Sequence, residues 1–218
     1  MRAVALTPNR AVRDVMRDVL ASVRELAGAV EISPKPQETA WQTPLDEDTE
    51  HATYDPLRVE RYFRAASQAA QVLAALRAPW RGRSTTVNAW WGGFDLGVNL
   101  YSGRPAEPPS KDFIFANSMD AQEIAIGWWP GDHRYDRAAF YAYAYPAGKE
   151  FPNADLVSGR WEETLGEYIL DWDDVVRSTS PYSTAVEFGR SVGRHACLTC
   201  DWEPALAASL DGHPPPIR

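Results

Sequence analysis

Long apolar runs, an excess of positive charge and a cysteine framework are all missing from this 218-residue chain. Nothing approaches the roughly 20 apolar residues of a membrane span, and the N-terminus has no apolar stretch of signal-peptide length. The formal net charge of −8 leaves no basic face for a nucleic-acid backbone. Only Cys197 and Cys200 are present, too few for a disulfide framework. These absences predict a reduced, cytoplasmic protein that binds neither membrane nor nucleic acid.

Sequence motifs of several enzyme classes are also missing. The chain has no GxSxG, no GxxxxGK followed by Ser or Thr, no GxGxxG and no HExxH. Most serine hydrolases, nucleotide-binding enzymes and zinc peptidases are therefore excluded as first interpretations. His195, Cys197 and Cys200 supply fewer ligands than a zinc site needs, and two small residues one helical turn apart favour a buried helix face. We predict no metal and no cofactor.

The chain is rich in aromatic residues that alternate along predicted strands between residues 87 and 145. This block reads VNAWWGGFDLGVNLY, QEIAIGWWPG and AAFYAYAYP. Aromatic and β-branched residues at a period of two are typical of half-buried strands. The pattern predicts strands over about 85–91, 94–101, 121–129, 138–145 and 165–170, with Trp91–Phe94 as a hairpin turn and longer loops over 102–118 and 146–160.

Helical periodicity flanks this block on both sides. Apolar residues at helical spacing, with cap and stop signals, predict helices over 8–27, 56–78 and 173–210. Short turns between successive strands favour antiparallel pairing. We therefore predict an α+β fold: an antiparallel sheet of about five strands, packed on one side by the long helices. The predicted domain spans residues 1–212, and the proline-rich tail over 213–218 is predicted to be disordered.

Isolated carboxylates on the predicted strands are the strongest candidates for acid/base chemistry. Asp95 and Glu123 lie among apolar residues, and Glu167 in LGEYIL is a third acid of this kind. Desolvation raises the pKa of such a group towards neutrality, where general acid/base catalysts operate. The alternatives are a hairpin-turn acceptor for Asp95 and an arginine partner, such as Arg104 or Arg134, for Glu123. Glu123 is the favoured catalytic residue.

Aromatic side chains supply the candidate walls of a ligand site. Tyr141, Tyr143 and Tyr145 alternate with Phe and Ala, so their hydroxyls share one sheet face and the small residues suit helix packing on the other. Tyr143 is a further catalytic candidate, and the alternative is an ordinary half-exposed sheet surface. His51 is also a catalytic candidate, although a His in such a turn more often holds the turn through its ring nitrogens. The other candidate ligand-binding residues are Asn88, Trp90, Trp91, Gln122, Trp128 and Trp129.

Several stretches together resemble a bacterial family known as domain of unknown function 5996. They are WWGGFDLGVNLYSGRPA, IGWWPGD, AAFYAYAYP, LGEYIL and LDEDTEHATYDP, and the resemblance runs from about Leu6 to Trp202. Members of that family are longer at the N-terminus. The resemblance therefore implies that this chain corresponds to the C-terminal two thirds of the family pattern. It also implies that a second copy or a separate partner chain covers the surface the missing part would bury.

The chain departs from the family pattern at two positions that bear on chemistry. Asn88 and Gln122 stand where the family tends to have His, and neither side chain titrates. Since the family implies no activity, two hypotheses remain open. One is a cofactor-independent enzyme that uses strand-borne carboxylates on a small organic substrate. The other is a non-catalytic module that binds a small molecule, self-associates or pairs with a partner chain.

Overall fold

The computed structural model describes residues 1–36 and 41–211, and the chain divides into two compact units, Met1–Ala65 and Ala66–Arg218. The predicted disordered tail, 213–218, lies outside the described residues. The helices are α1 (Val12–Ala27), α2 (Pro56–Arg77), α3 (Phe113–Ser118), α4 (Trp172–Arg177), α5 (Pro181–Thr199) and α6 (Pro204–Ser209). The strands are β1 (Asn88–Trp90), β2 (Asp95–Pro105), β3 (Ala121–Trp129), β4 (Ala139–Tyr145), β5 (Arg160–Glu162) and β6 (Glu167–Asp171).

The strands of the second unit form one sheet in the order β1-β2-β3-β4-β6-β5, and every neighbouring pair is antiparallel. This confirms the α+β class, with six strands rather than about five. The additional strand is β5, whose three residues begin at the end of the predicted loop, 146–160, precede the predicted strand, 165–170, and pair with β6. The hairpin between β1 and β2 is also confirmed, with Trp90 opposite Asp95.

The two faces of the sheet differ because side chains alternate along each strand. One face, here called the helix face, carries apolar side chains such as Val98, Ile126 and Phe140, all nearly inaccessible to solvent. Helix α5 packs across it, touching β3, β4 and β6. Close approach is possible because Gly189 has no Cβ: one built there would lie 2.0 Å from Leu76 Cδ1 and 3.3 Å from Ile126 Cγ2. The small side chains of the β4 alanines and the absence of a side chain at Gly189 thus allow α5 to pack close to the sheet.

Two predicted helices have different boundaries in the structure. Helix α1 begins at Val12 rather than residue 8, since Asn9 has φ of 63° and interrupts helical geometry. The region predicted to hold the C-terminal helices, 173–210, contains three of them, α4, α5 and α6. Pro181 and Pro204 are the first residues of α5 and α6, where the N–H that proline lacks would have no partner within the helix.

The first unit contains α1, the connection to α2 and the beginning of α2. Its helix start is held by a turn, because the backbone N–H groups of Val12 and Arg13 donate to the carbonyls of His51 and Asp48. These bonds satisfy donors that a helix leaves unpaired in its first turn. Helix α1 has no buried residue, although its apolar side chains form one stripe.

Candidate functional site

The face opposite the helices carries the predicted carboxylates and tyrosines together. Cross-strand partners share a face, and the pairs Tyr101–Glu123 and Glu123–Tyr145 link β2, β3 and β4. The same alternation places Asp95, Asn99, Tyr141, Tyr143 and Glu167 on this side. We call it the tyrosine face. The predicted separation of tyrosines from small residues on β4 is confirmed.

Asp95 accepts a hydrogen bond from a tyrosine two strands away. Tyr141 Oη donates to Asp95 Oδ2 over 2.6 Å. The tyrosine ring can cross β3 because Gly127 and Gly97, opposite each other on β3 and β2, leave it space. Burial raises the pKa of Asp95, and burial together with the Asp95 charge raises the pKa of Tyr141 well above its usual range. The bonded pair therefore holds its proton on the tyrosine.

Glu123, the favoured candidate from the sequence, is fixed by a neutral partner rather than by an arginine. Its side chain is only 2% exposed, and Asn99 Nδ2 donates to its Oε2 over 2.9 Å. Burial raises the pKa of Glu123, while the Asn99 hydrogen bond opposes that change. Because the carboxyl group is enclosed and bonded, it is better placed to orient neighbours than to exchange protons with a ligand.

Glu167 borders a cavity of about 400 Å³ that lies on the tyrosine face and is open to solvent. Other lining residues include Phe115, Met119, Tyr143, Tyr145 and Leu165. Among the described residues, no side chain or backbone group makes a hydrogen bond or ion pair with the Glu167 carboxylate. Burial raises its pKa to about 7, the nearby Asp95 charge also raises it, and the Arg134 charge opposes both. Glu167 thus combines access to a cavity with a pKa suited to proton transfer.

The loop predicted over 102–118 contributes to this cavity. Strand β2 extends further than predicted, to Pro105, and the loop contains the short helix α3. Phe115 of α3, with Pro109 and Ser110, lines the cavity. Tyr145 Oη donates to the carbonyl of Glu107 and so ties the loop to β4. Three consecutive exposed apolar residues, Phe113, Ile114 and Phe115, are the sequence signal for this contribution.

Tyr143 is the residue of the tyrosine face on whose hydroxyl the charges of three acids act. Its ring stacks on Tyr141, with centroids 6.3 Å apart. Burial raises its pKa, and the charges of Glu123, Glu167 and Asp95 raise it further. In the described part of the chain no group bonds to its hydroxyl, which is therefore a protonated donor without an acceptor.

One end of the tyrosine face is closed by a structural cluster. Tyr135 packs on Trp129, and its hydroxyl donates to Asp171. Arg160 donates to Asp171 Oδ2 over 3.2 Å and to Tyr135 Oη over 2.6 Å. The buried Trp129 Nε1 has no hydrogen-bond partner among the described residues. This cluster separates Trp129 from solvent.

The remaining predicted ligand-binding residues are not brought together. Trp128 and Gln122 point to the opposite side from Glu123 and Trp129, because adjacent residues of a strand alternate. Trp128 packs against Trp172 and is 1% exposed, so it is removed from the candidate site. Gln122 accepts a hydrogen bond from Ser102, over 3.1 Å.

Three further residues occupy the β1 edge of the sheet. Asn88 and Trp90 belong to β1 on the side of the tyrosine face, and Trp91 lies in the hairpin turn, 61% exposed. Asn88 accepts a hydrogen bond from Thr86 over 2.8 Å. None of the three lines the cavity beside Glu167.

His51 belongs to the first unit, where it stabilises a turn. Its Nδ1 lies 2.7 Å from Asp48 Oδ2, and its ring stacks on Trp41 at 4.4 Å. Asp48 also accepts from the backbone N–H groups of Glu50 and His51, and the His51 bond is the main cause of its lowered pKa. Asp48 is buried, and these bonds satisfy its carboxylate.

The predicted buried helix face holds for Cys197 only, because Cys200 follows the last residue of α5 and is half-buried. Cys197 is buried, and burial raises the pKa of its thiol to about 12. Across residues 1–36 and 41–211, no three His, Cys, Asp or Glu side chains are grouped closely enough to hold a metal ion. None of the described helices is long and apolar enough to span a membrane.

These features define an α+β protein whose antiparallel sheet is covered by helices on one face and carries carboxylates and tyrosines on the other. The chain belongs to a family of unknown function, DUF5996, which matches residues 1–209. The match is wider than the predicted Leu6–Trp202, and the proposed correspondence to the C-terminal two thirds is corrected accordingly. Neither the curated proteins nor the solved structures compared with the chain contain a match to it.

Proposed function

We propose that the protein is a cofactor-independent enzyme that moves a proton on a small organic substrate bound at the tyrosine face. The observation that carries this proposal is the Glu167 carboxylate, which borders the cavity without a partner among the described residues and has a pKa of about 7. At neutral pH such a group is present both as carboxylate and as acid. It can therefore accept a proton and return it within one turnover.

The roles of the neighbouring residues follow from their bonding. Tyr143, whose phenol stays protonated, donates a hydrogen bond to the substrate atom on which negative charge develops. Tyr141 and Asp95 fix the ring on which Tyr143 stacks, and Glu123 with Asn99 fixes the adjoining strands. These groups position the site, while Glu167 does the chemistry.

The proposed reaction needs no co-reactant. Glu167 accepts a proton from a carbon acid, and the electron pair moves towards an atom hydrogen-bonded by Tyr143. Glu167 then returns a proton, which can exchange with solvent while the carboxyl holds it, to a neighbouring atom. The product is an isomer of the substrate, so atoms and charge balance. His51 has no role in this proposal, because it is already bonded to Asp48 within the first unit.

The test compares the metabolites consumed by the wild-type protein and by Glu167→Gln. A metabolite extract is incubated with each protein and followed by ¹H NMR in deuterated and ordinary water. We expect the wild type to convert or deuterate at least one component, and Glu167→Gln to do so at least 100-fold more slowly. Glu163→Gln, which changes an exposed carboxylate nearby, is the control. Equal rates for the wild type and Glu167→Gln would remove Glu167 as the acid/base.

A second proposal, a non-catalytic assembly module, is supported by apolar side chains without cover. Val19 and Leu26 of α1 are 42% and 65% exposed, and no residue of that helix is buried. Native mass spectrometry separates the two proposals: a closed oligomer is expected for an assembly module. A monomer at micromolar concentration would count against it.

A further inference from the structure

The lining of the cavity beside Glu167 points to the chemical class of its ligand. The wall contains the aromatic residues Phe115, Tyr143 and Tyr145 and the apolar side chains of Met119 and Leu165. A cavity of about 400 Å³ is large enough for a small organic molecule. Glu167 is the charged residue of this lining. A ligand that fits must therefore have an apolar body and a group that interacts favourably with a carboxylate.

The charges around the cavity are predominantly negative. Asp95 and Glu123 share the tyrosine face with Glu167, and the charges of all these acids act on Tyr143. The guanidinium that acts on Glu167 belongs to Arg134, which already bonds to Asp132 over 2.7 Å. An anionic ligand would therefore meet like charges, and a neutral one without a hydrogen-bond donor would leave a partly desolvated carboxylate unpaired.

We infer that the cavity binds an organic cation, a protonated amine or a quaternary ammonium with an apolar body, with the Glu167 carboxylate as counter-ion and the Phe115, Tyr143 and Tyr145 rings around the charge. Aromatic faces attract cations, and the attraction is strongest where water is excluded. The inference rests on the proposed function of the same site and adds the substrate class. A bound cation also favours the ionised form of Glu167, so it would leave the residue as the base that proton abstraction requires.

Three probes that share a phenyl ring and differ in charge test this inference by isothermal titration calorimetry at pH 8. Benzyltrimethylammonium carries a fixed positive charge, benzyl alcohol is neutral and benzoate is negative. We expect the cation to bind at least tenfold more tightly than benzyl alcohol, and benzoate not to bind. Glu167→Gln should lower the affinity for the cation at least tenfold and leave that for benzyl alcohol unchanged, whereas Glu163→Gln should change neither.

A pH series and a second variant complete the experiment. The affinity of wild type for the fixed cation should fall between pH 8 and pH 5.5 as Glu167 gains a proton, and Glu167→Gln should lose most of that dependence. The groups that face Glu167 are Asp95 on β2, Tyr141 and Tyr143 on β4, Arg134 before β4 and Glu162 on β5. Tyr143→Phe keeps the ring and should retain the binding of the cation.

The outcomes separate this inference from the proposed function. Equal affinity for benzyl alcohol and the cation, or cation binding unaffected by Glu167→Gln, would overturn it, and so would tight binding of benzoate. Binding is measured without turnover. Conversion of a neutral metabolite would therefore contradict the cation inference and support the proposed enzyme. Selective cation binding without any conversion would support the cation inference and contradict the proposed enzyme.

Discussion

Glu167 and Glu123 show how two glutamates on one sheet face acquire different properties. Asn99 bonds to Glu123 across the pairing of β2 with β3, whereas the Glu167 carboxylate faces a cavity. Both carboxyls are desolvated, so the pKa of each is raised. The two glutamates differ because strand pairing places Asn99 beside Glu123, whereas Glu167 borders the cavity.

The raised pKa of Glu167 predicts a pH-dependent effect of Glu167→Gln on stability. Its carboxyl has a pKa of about 7 in the folded chain, against 4.5 for the isolated group. Between these values the folded protein holds a proton that the unfolded chain releases, so the free energy of unfolding falls as the pH rises. Because Gln cannot ionise, the free energy of unfolding of Glu167→Gln does not fall in this way as the pH rises. We expect the variant to match wild type near pH 4 and to be about 1–3 kcal/mol more stable at pH 8.

Urea denaturation at several pH values measures this difference. The expected difference in the free energy of unfolding is smaller than the free energy equivalent to the whole pKa change of Glu167. The reason is that its side chain keeps some exposure, so solvent screens its charge. Glu163→Gln should follow the wild type at every pH, since its carboxylate is exposed. A constant offset between Glu167→Gln and wild type from pH 4 to pH 8 would show that the pKa of Glu167 does not change on folding.

The positions of the strand-borne acids could be predicted from the sequence, but their surroundings could not. Asp95, Glu123 and Glu167 could be found because a lone acid on an apolar strand is visible locally. Their partners could not, because Asn99 is 24 positions from Glu123 and meets it only through the register of the sheet. The prediction that Trp128 and Trp129 both line one site fails for a different reason. Alternation along a strand already separates them, so the sequence contained the correction.

At the scale of elements, the site depends on two glycines that face each other. A Cβ on Gly127 would lie 2.3 Å from Tyr141 Cζ and 2.5 Å from the Leu96 carbonyl oxygen. A Cβ on Gly97 would lie 3.1 Å from Trp90 Nε1 and 3.2 Å from Tyr141 Oη. The tyrosine therefore lies closely over β3 and more loosely over β2.

These distances predict different costs for the two alanine substitutions. Gly127→Ala must displace a tyrosine ring and press on backbone, and should lower the free energy of unfolding by about 3 kcal/mol, the upper part of the range for overpacking. Gly97→Ala needs only small movements of two side-chain ends and should cost about 1 kcal/mol or less. Denaturation midpoints of both variants measure this order. A Gly127→Ala protein as stable as Gly97→Ala would place the Tyr141 ring elsewhere.

The elements themselves were predictable where their signals are local and long. Strands β2, β3 and β4 and helix α2 carry sustained periodic patterns, and their predicted positions agree with the structure to within a few residues. Strand β5 and helix α3 were missed, since three and six residues are too few to show a period. Strand β5 forms because β6 is beside it, which is a tertiary cause.

At the scale of the whole molecule, the two compact units differ in what they bury. Seven consecutive residues of β3, from Glu123 to Trp129, are buried, whereas α1 has no buried residue. Local opening costs less free energy where fewer apolar contacts are lost. The two units should therefore not open together.

Hydrogen exchange of the native protein tests this difference. We expect the amides of α1 to exchange at least 100-fold faster than those of β3 and β4, and to do so in mild denaturant that leaves the sheet protected. Mass spectrometry of peptic peptides resolves the two regions. Protection of α1 equal to that of β3 would mean that something covers its apolar stripe, which is the result the assembly proposal requires.

The order of the strands has a consequence for how copies of this chain meet. Both outermost strands, β1 and β5, are only three residues long, and the longer strands lie between them. Where β2 extends past β1, its outer edge is bonded to residues that precede β1. The Thr85 N–H donates to the Asn99 carbonyl, and the Tyr101 N–H donates to the Arg83 carbonyl. Little unpaired backbone remains to template a neighbouring strand, so the sheet is protected against growing edge to edge into aggregates, even though its longest strands are strongly apolar.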